Sequence, residues 1–181
     1  MGAWGALIMS FFGAVFAALT LYWQWHLSGA VLALPFIIFA LIGLAAGYVI
    51  RLPGVGIKPS ARTERAIMWA SIGEGVGLFL AANIVINLHR PEWLLPSMAL
   101  VVGLHFIPIA AADSFRPFYV LGAVLILAAL AGFVAPAPTG GELAGLAAAA
   151  ALWLASAVAV RRDWRARQLT RCSTPARVGC L

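Results

Sequence analysis

The chain has 181 residues, of which 64% are hydrophobic and only 10% charged. A soluble domain carries about 25% charged and about 45–50% apolar residues, so this chain lacks the side chains for a water-facing surface. That excludes an ordinary soluble enzyme, a disordered chain and a soluble nucleic-acid binder, and the net charge of +6 must find its explanation in where the charges stand.

In chain order, six blocks approach the roughly 20 apolar residues that a helix needs to cross a hydrocarbon core of about 30 Å. The first, residues 3–23, carries no charge, and residues 1–23 contain no Lys or Arg. A removable signal needs a basic start before a short apolar run, so a retained helix is expected. The turn QWHLSG leads to the second block, 30–50, with Pro35 near its start, where proline costs little. The loop RLPGVGIKPSART follows, with Pro and Gly as helix breakers. The third block, 65–87, contains Glu74, Asn83 and Asn87. After LHRPE comes the fourth, 93–112, with Pro96, His105 and Pro108. DSFRP leads to the fifth, 118–135, which ends in PAPTGG, and the sixth covers 142–160. Residues 161–181 hold six arginines and are no span. The expected fold is all-α: a polytopic integral membrane bundle of six transmembrane helices over 1–160, followed by a basic tail at 161–181. Short connections make sequential helices antiparallel neighbours.

The twelve Lys and Arg residues set an orientation. With six spans, Arg51, Lys58, Arg62, Arg65, Arg116 and the six tail arginines share one side, and Arg90 stands alone on the other. Basic loops stay cytoplasmic, so both termini are expected in the cytoplasm. Tyr22, Trp23, Trp25 and Trp93 fall at the outer interface of that frame, and Trp4, Tyr48, Tyr119 and Trp164 at the inner one. The partners expected are the lipid bilayer and, at the tail, anionic lipid drawn by Arg161, Arg162, Arg165, Arg167 and Arg171 along a short basic helix; no nucleic acid is expected. Residues 172–181 are expected to be disordered, with Cys172 and Cys180 as reduced thiols.

An ionisable group in the hydrocarbon region costs about 2.5–3.5 kcal/mol on insertion scales, so such groups mark function or a specific partner. Glu74 lies eight residues past Ala66 and His105 seven before Ala112, depths of about 12 and 11 Å at 1.5 Å per residue. In an antiparallel hairpin the two are level, and by the same register Asn83 is level with Ser97. Ala70, Ser71, Gly77 and Ala81 fall within about 60° of Glu74 on a helical wheel, a small-residue face suited to close approach. Asn83 and Asn87 share the opposite face, which places the third helix centrally in the bundle. The candidate ion- or substrate-binding residues are therefore Glu74, His105, Asn83, Asn87 and Ser97. In one reading they line a polar cavity; in the other, Glu74 and His105 form a buried bond that only orders helix packing. Pro108 removes one backbone bond three residues after His105, freeing the Leu104 carbonyl or simply kinking the helix.

Elsewhere the chemistry is sparse. His26 and His89 on the outer rim do not supply the three or four converging ligands of a metal site, and no metal is expected. Glu142 suits a helix N-terminus. The chain has no G-x-S-x-G, H-E-x-x-H or Walker A pattern and no phosphate loop, so no cofactor is expected, and an intramembrane enzyme ranks third behind a transporter and a structural membrane protein.

The stretch Gly103-Leu104-His105-Phe106-Ile107-Pro108, followed by Ala110 and by Phe118-Tyr119-Val120-Leu121-Gly122, resembles a motif of small uncharacterised bacterial multi-pass membrane proteins with a G-x-H-F-x-P core. The likeness covers about 70 residues, from the third helix into the fifth. It implies a bacterial inner-membrane protein and singles out His105 and Pro108, without implying an activity. Taken together, these readings point to a small transporter or a transporter or channel subunit; the alternative is a structural or accessory membrane protein.

Overall fold

The computed structural model describes residues 2–57, 60–113 and 116–172. Lys58 and residues 173–181, on which part of the orientation count and the expected tail disorder rest, lie outside the described residues. Six helices form: α1 (Ala3–Trp23), α2 (Leu34–Arg51), α3 (Ala61–Asn87), α4 (Leu94–Asp113), α5 (Arg116–Val134) and α6 (Thr139–Cys172), with short 3₁₀ turns at Gly29–Ala33 and Pro91–Trp93 leading into α2 and α4. Each helix, counted with its leading turn, is long and apolar enough to cross a bilayer. The chain is thus an all-α, multi-pass membrane bundle.

Local chemistry explains the boundaries. Pro35 opens α2, where its missing N–H is no loss. Leu52-Pro53-Gly54 ends α2, with Gly54 at φ +115°, a conformation that excludes a side chain. Ser60 caps α3 by accepting the Thr63 amide at 3.2 Å, and Glu64 in the first turn complements the helix dipole. His26 and His89 adopt left-handed φ values of 51° and 54° in the turns after α1 and α3.

Helices α1, α4, α5 and α6 build the centre, where Phe16, Leu95, Val102, Ile109, Leu125 and Leu152 are fully buried. Small residues let these backbones meet, as expected where lipid supplies no hydrophobic drive between helices. The clearest case is α4 on α5: a Cβ on Gly103 would lie 3.0 Å from the Gly122 carbonyl, and one on Gly122 would lie 2.9 Å from the Gly103 carbonyl. The other two helices are peripheral. Helix α2 leans on α1 and, less closely, on α6, burying only Pro35, Ala46 and Val49. Helix α3 packs on α4 and buries only Thr63 and Val85. The central position expected for α3 from its two polar faces is therefore corrected. Asn83 and Asn87 are exposed, and each satisfies its own amide by donating to the carbonyl one turn back, Phe79 at 2.8 Å and Asn83 at 2.9 Å.

Helix α6 also departs from the division at residue 160. It runs for 34 residues, about 51 Å, and so extends past a hydrocarbon core of about 30 Å. The arginines that mark the end of the span are good helix formers, so the helix does not end where hydrophobicity does. On this basic face, where α1 begins and α2 ends, the extension grips the α2–α3 loop. Asp163 is buried; its Oδ1 accepts the Ile57 amide at 2.8 Å, and its Oδ2 lies 3.4 Å from Arg167 Nε. Arg167 Nη1 donates to the carbonyls of Ile50, Leu52 and Gly54. Arg162 pairs with Asp113 at 3.9 Å. Of the five arginines assigned to lipid, Arg162 and Arg167 thus serve packing, and Arg161, Arg165 and Arg171 remain exposed.

Candidate functional site

Helices α3 and α4 form the antiparallel hairpin that carries the two ionisable residues at span depth. His105 Nδ1 lies 3.4 Å from Glu74 Oε2, with side chains 9% and 11% exposed. This is an ion-pair distance, but the geometry is not that of a hydrogen bond, and buried His105 Nδ1 has no hydrogen-bond partner. The ring is held on its other side by Phe106, edge-on with centroids 5.2 Å apart, and Phe106 in turn stacks on Phe118 of α5.

Two spaces meet at the pair. Toward the bundle interior is a pocket of about 60 Å³, lined by Gly5, Met9 and Phe12 of α1, Ile67 and Ser71 of α3, Val102 and Phe106 of α4, and Leu152 of α6 as well as by Glu74 and His105. It has room for a few water molecules and polar groups to bond them. On the outer side is a groove of about 300 Å³ between α3 and α4, lined by Ala70, Gly73, Gly77, Val101, Leu104 and Pro108 and again by the pair. Two glycines of α3 shape it. Gly77 marks the contact between the helices, since a Cβ there would lie 2.9 Å from Val101 Cγ1; nothing lies near the position of a Cβ on Gly73, and the groove opens there. Helix α4 continues through Pro108, whose missing N–H leaves the Leu104 carbonyl without its usual amide partner. Both residues line the groove.

The remaining sequence candidates stand apart. Asn83 and Asn87 lie on the exposed side of α3, bonded to their own helix. Ser97 is half-buried near the start of α4, eight residues or about 12 Å from His105 along the helix. None of the three lines the pocket or groove at the pair. The polar residue that does join it is Ser71, from the small-residue face around Glu74. Contributions from α1 and α6 needed knowledge of which helices pack together, which the antiparallel register of α3 and α4 does not contain. At the far face, Glu142 in the first turn of α6 accepts the Trp25 indole N–H at 2.8 Å and pins the α1–α2 turn. Among the described residues no three of His, Cys, Asp and Glu come together as metal ligands would.

Fold and site together define a class: a six-helix membrane bundle with a carboxylate–imidazole pair at span depth between an interior pocket and an outward groove. Comparison with protein-family models, with curated protein sequences and with solved structures finds no match to the chain.

Proposed function

We propose that the chain is a small transporter, or the membrane subunit of one, in which Glu74 and His105 bind and pass a proton. The observation that carries this reading is the position of the pair: 3.4 Å apart, nearly buried, and lining both the interior pocket and the outer groove. A carboxylate and an imidazole at this distance can share one proton, and both side chains border both spaces. The pocket of about 60 Å³ suits water or a bare ion rather than an organic solute. The resemblance around Gly103–Pro108 belongs to the same proposal, because it singles out His105 and Pro108.

The proposed setting is the bacterial cytoplasmic membrane with both termini inside, supported by the eleven-to-one distribution of Lys and Arg. The two cysteines follow the sixth span, so an impermeant maleimide should fail to label them in sealed cells. Labelling without permeabilisation would reverse the orientation.

One observation favours a second reading. Helix α3 packs almost wholly on α4, and an ion pair between them is a means of holding a peripheral helix in place. Proton flux into proteoliposomes separates the two. Flux above that of empty vesicles, lost in Glu74→Gln, supports the transport reading; no flux in the wild type, with destabilisation in the variant, supports the structural one.

A further inference from the structure

A cavity larger than either the interior pocket or the outer groove lies away from the Glu74–His105 pair. It is a groove of about 660 Å³ between α2 and α6. Both helices run toward the basic face, so residues along the groove can be read in order of depth. At the deep end stand Leu41 and Ala157; Val49 closes the floor; at the basic face stand Tyr48, Arg161, Trp164 and Gln168. The groove exists because Ala45 and Ala157 are too small to fill the space between helices that touch only lightly. Its gradient, from hydrocarbon to an aromatic and guanidinium rim, runs along the membrane normal.

We infer that this groove is a binding site for an anionic phospholipid of the leaflet at the basic face, its acyl chain against Leu41, Ala45 and Ala157 and its phosphate at Arg161. Two further features fix the sign of the headgroup. Arg165, one turn after Arg161, carries a second exposed guanidinium on the same side of α6. The nearby acid, Asp163, is 3% exposed and is taken up by the Ile57 amide and Arg167, so it does not compete for the guanidinium groups at the rim. Basic pockets between transmembrane helices bind anionic headgroups in this way, and Trp164 and Tyr48 suit the interfacial level.

Native mass spectrometry of the full chain in detergent, with phosphatidylglycerol or with phosphatidylcholine of the same acyl chains, counts bound lipid and protein copies together. The expected result is preferential retention of phosphatidylglycerol. Arg161→Gln should weaken it about fivefold, one basic residue's share of the attraction to anionic lipid. Ala45→Trp, which narrows the groove, should reduce both lipids, whereas Leu127→Trp on the exposed side of α5, away from the groove, should change neither. Equal retention of the two lipids by the wild type, or unchanged phosphatidylglycerol binding in Arg161→Gln, would overturn the inference. A wild-type dimer dissolved by Ala45→Trp would assign the groove to a second copy instead, and displacement of the lipid by inorganic phosphate would reduce it to an anion site. If Ala45→Trp does not fold, Arg161→Gln decides.

Discussion

Arg167 donates from Nη1 to the Leu52 carbonyl at 3.0 Å, joining the end of α6 to the end of α2. The same nitrogen reaches the carbonyls of Ile50 and Gly54, and Nε faces Asp163. A guanidinium is thus the C-terminal cap of another helix, and the carboxylate beside it holds the loop that follows. This part of α6 lies outside the hydrocarbon span, yet it sets the path by which the chain leaves α2 and enters α3, the helix that carries Glu74.

Removing the guanidinium should be costly. Arg167→Ala leaves buried Asp163 without its charge partner and three carbonyls without a donor, for an expected loss of about 2–4 kcal/mol. Arg167→Lys keeps the charge but not the fork of donors, and should recover less than half of the loss. Thermal unfolding in detergent measures both; equal stability of Arg167→Ala and wild type would show that the loop does not depend on the clamp.

The two classes of glycine should respond oppositely to a methyl group. Gly103→Ala drives a Cβ to 3.0 Å from the Gly122 carbonyl and should destabilise by about 1–3 kcal/mol as α4 and α5 separate. Gly73→Ala meets open space and should be neutral or stabilising by up to about 1 kcal/mol through helix propensity. The same unfolding measurement compares them, and equal effects would contradict the packing described for α4 and α5.

Asn83 and Asn87 are expected to be dispensable for function. Each bonds its own helix on an exposed face, so Asn83→Leu and Asn87→Leu should leave proton flux unchanged and shift stability by no more than about 0.5 kcal/mol. Loss of flux in either variant would restore them to the site.

Much of the fold was legible because hydrophobic length is a strong signal in a membrane chain. The first block, 3–23, coincides with α1, and all six blocks correspond to helices, extended by a turn or so where Ser60 caps α3 or Pro91 leads into α4. The register that set Glu74 level with His105 corresponds to their 3.4 Å approach, since a short antiparallel connection leaves little freedom in depth. What escaped has a common cause. Hydropathy weighs a residue's transfer out of water but not its bonding partner. Asn83 and Asn87 therefore looked like inward polar groups, although an i−4 carbonyl satisfies each where it stands. Arg167 looked like a group drawn to anionic lipid, although Asp163 four residues before it has the spacing of a helical ion pair. The lining that α1 and α6 bring to the pocket depends on helix neighbours distant in sequence, and no local pattern encodes those.

A bond at the far face tests whether the rim is structural. Trp25 donates to Glu142 at 2.8 Å, linking the α1–α2 turn to the start of α6. Trp25→Phe keeps the aromatic bulk and removes the donor, for an expected cost of about 0.5–1.5 kcal/mol and no change in flux. A larger loss matched by Glu142→Gln would mean that the turn's entry into α2 depends on this contact.

The measurement that bears most directly on the proposed proton site is the decay of an imposed pH gradient across proteoliposomes carrying wild type, Glu74→Gln or His105→Ala. The expected result is decay faster than in empty vesicles for the wild type, and decay at the empty-vesicle rate for both variants, each first shown to be folded by its unfolding transition. Equal decay for wild type and Glu74→Gln would contradict the account.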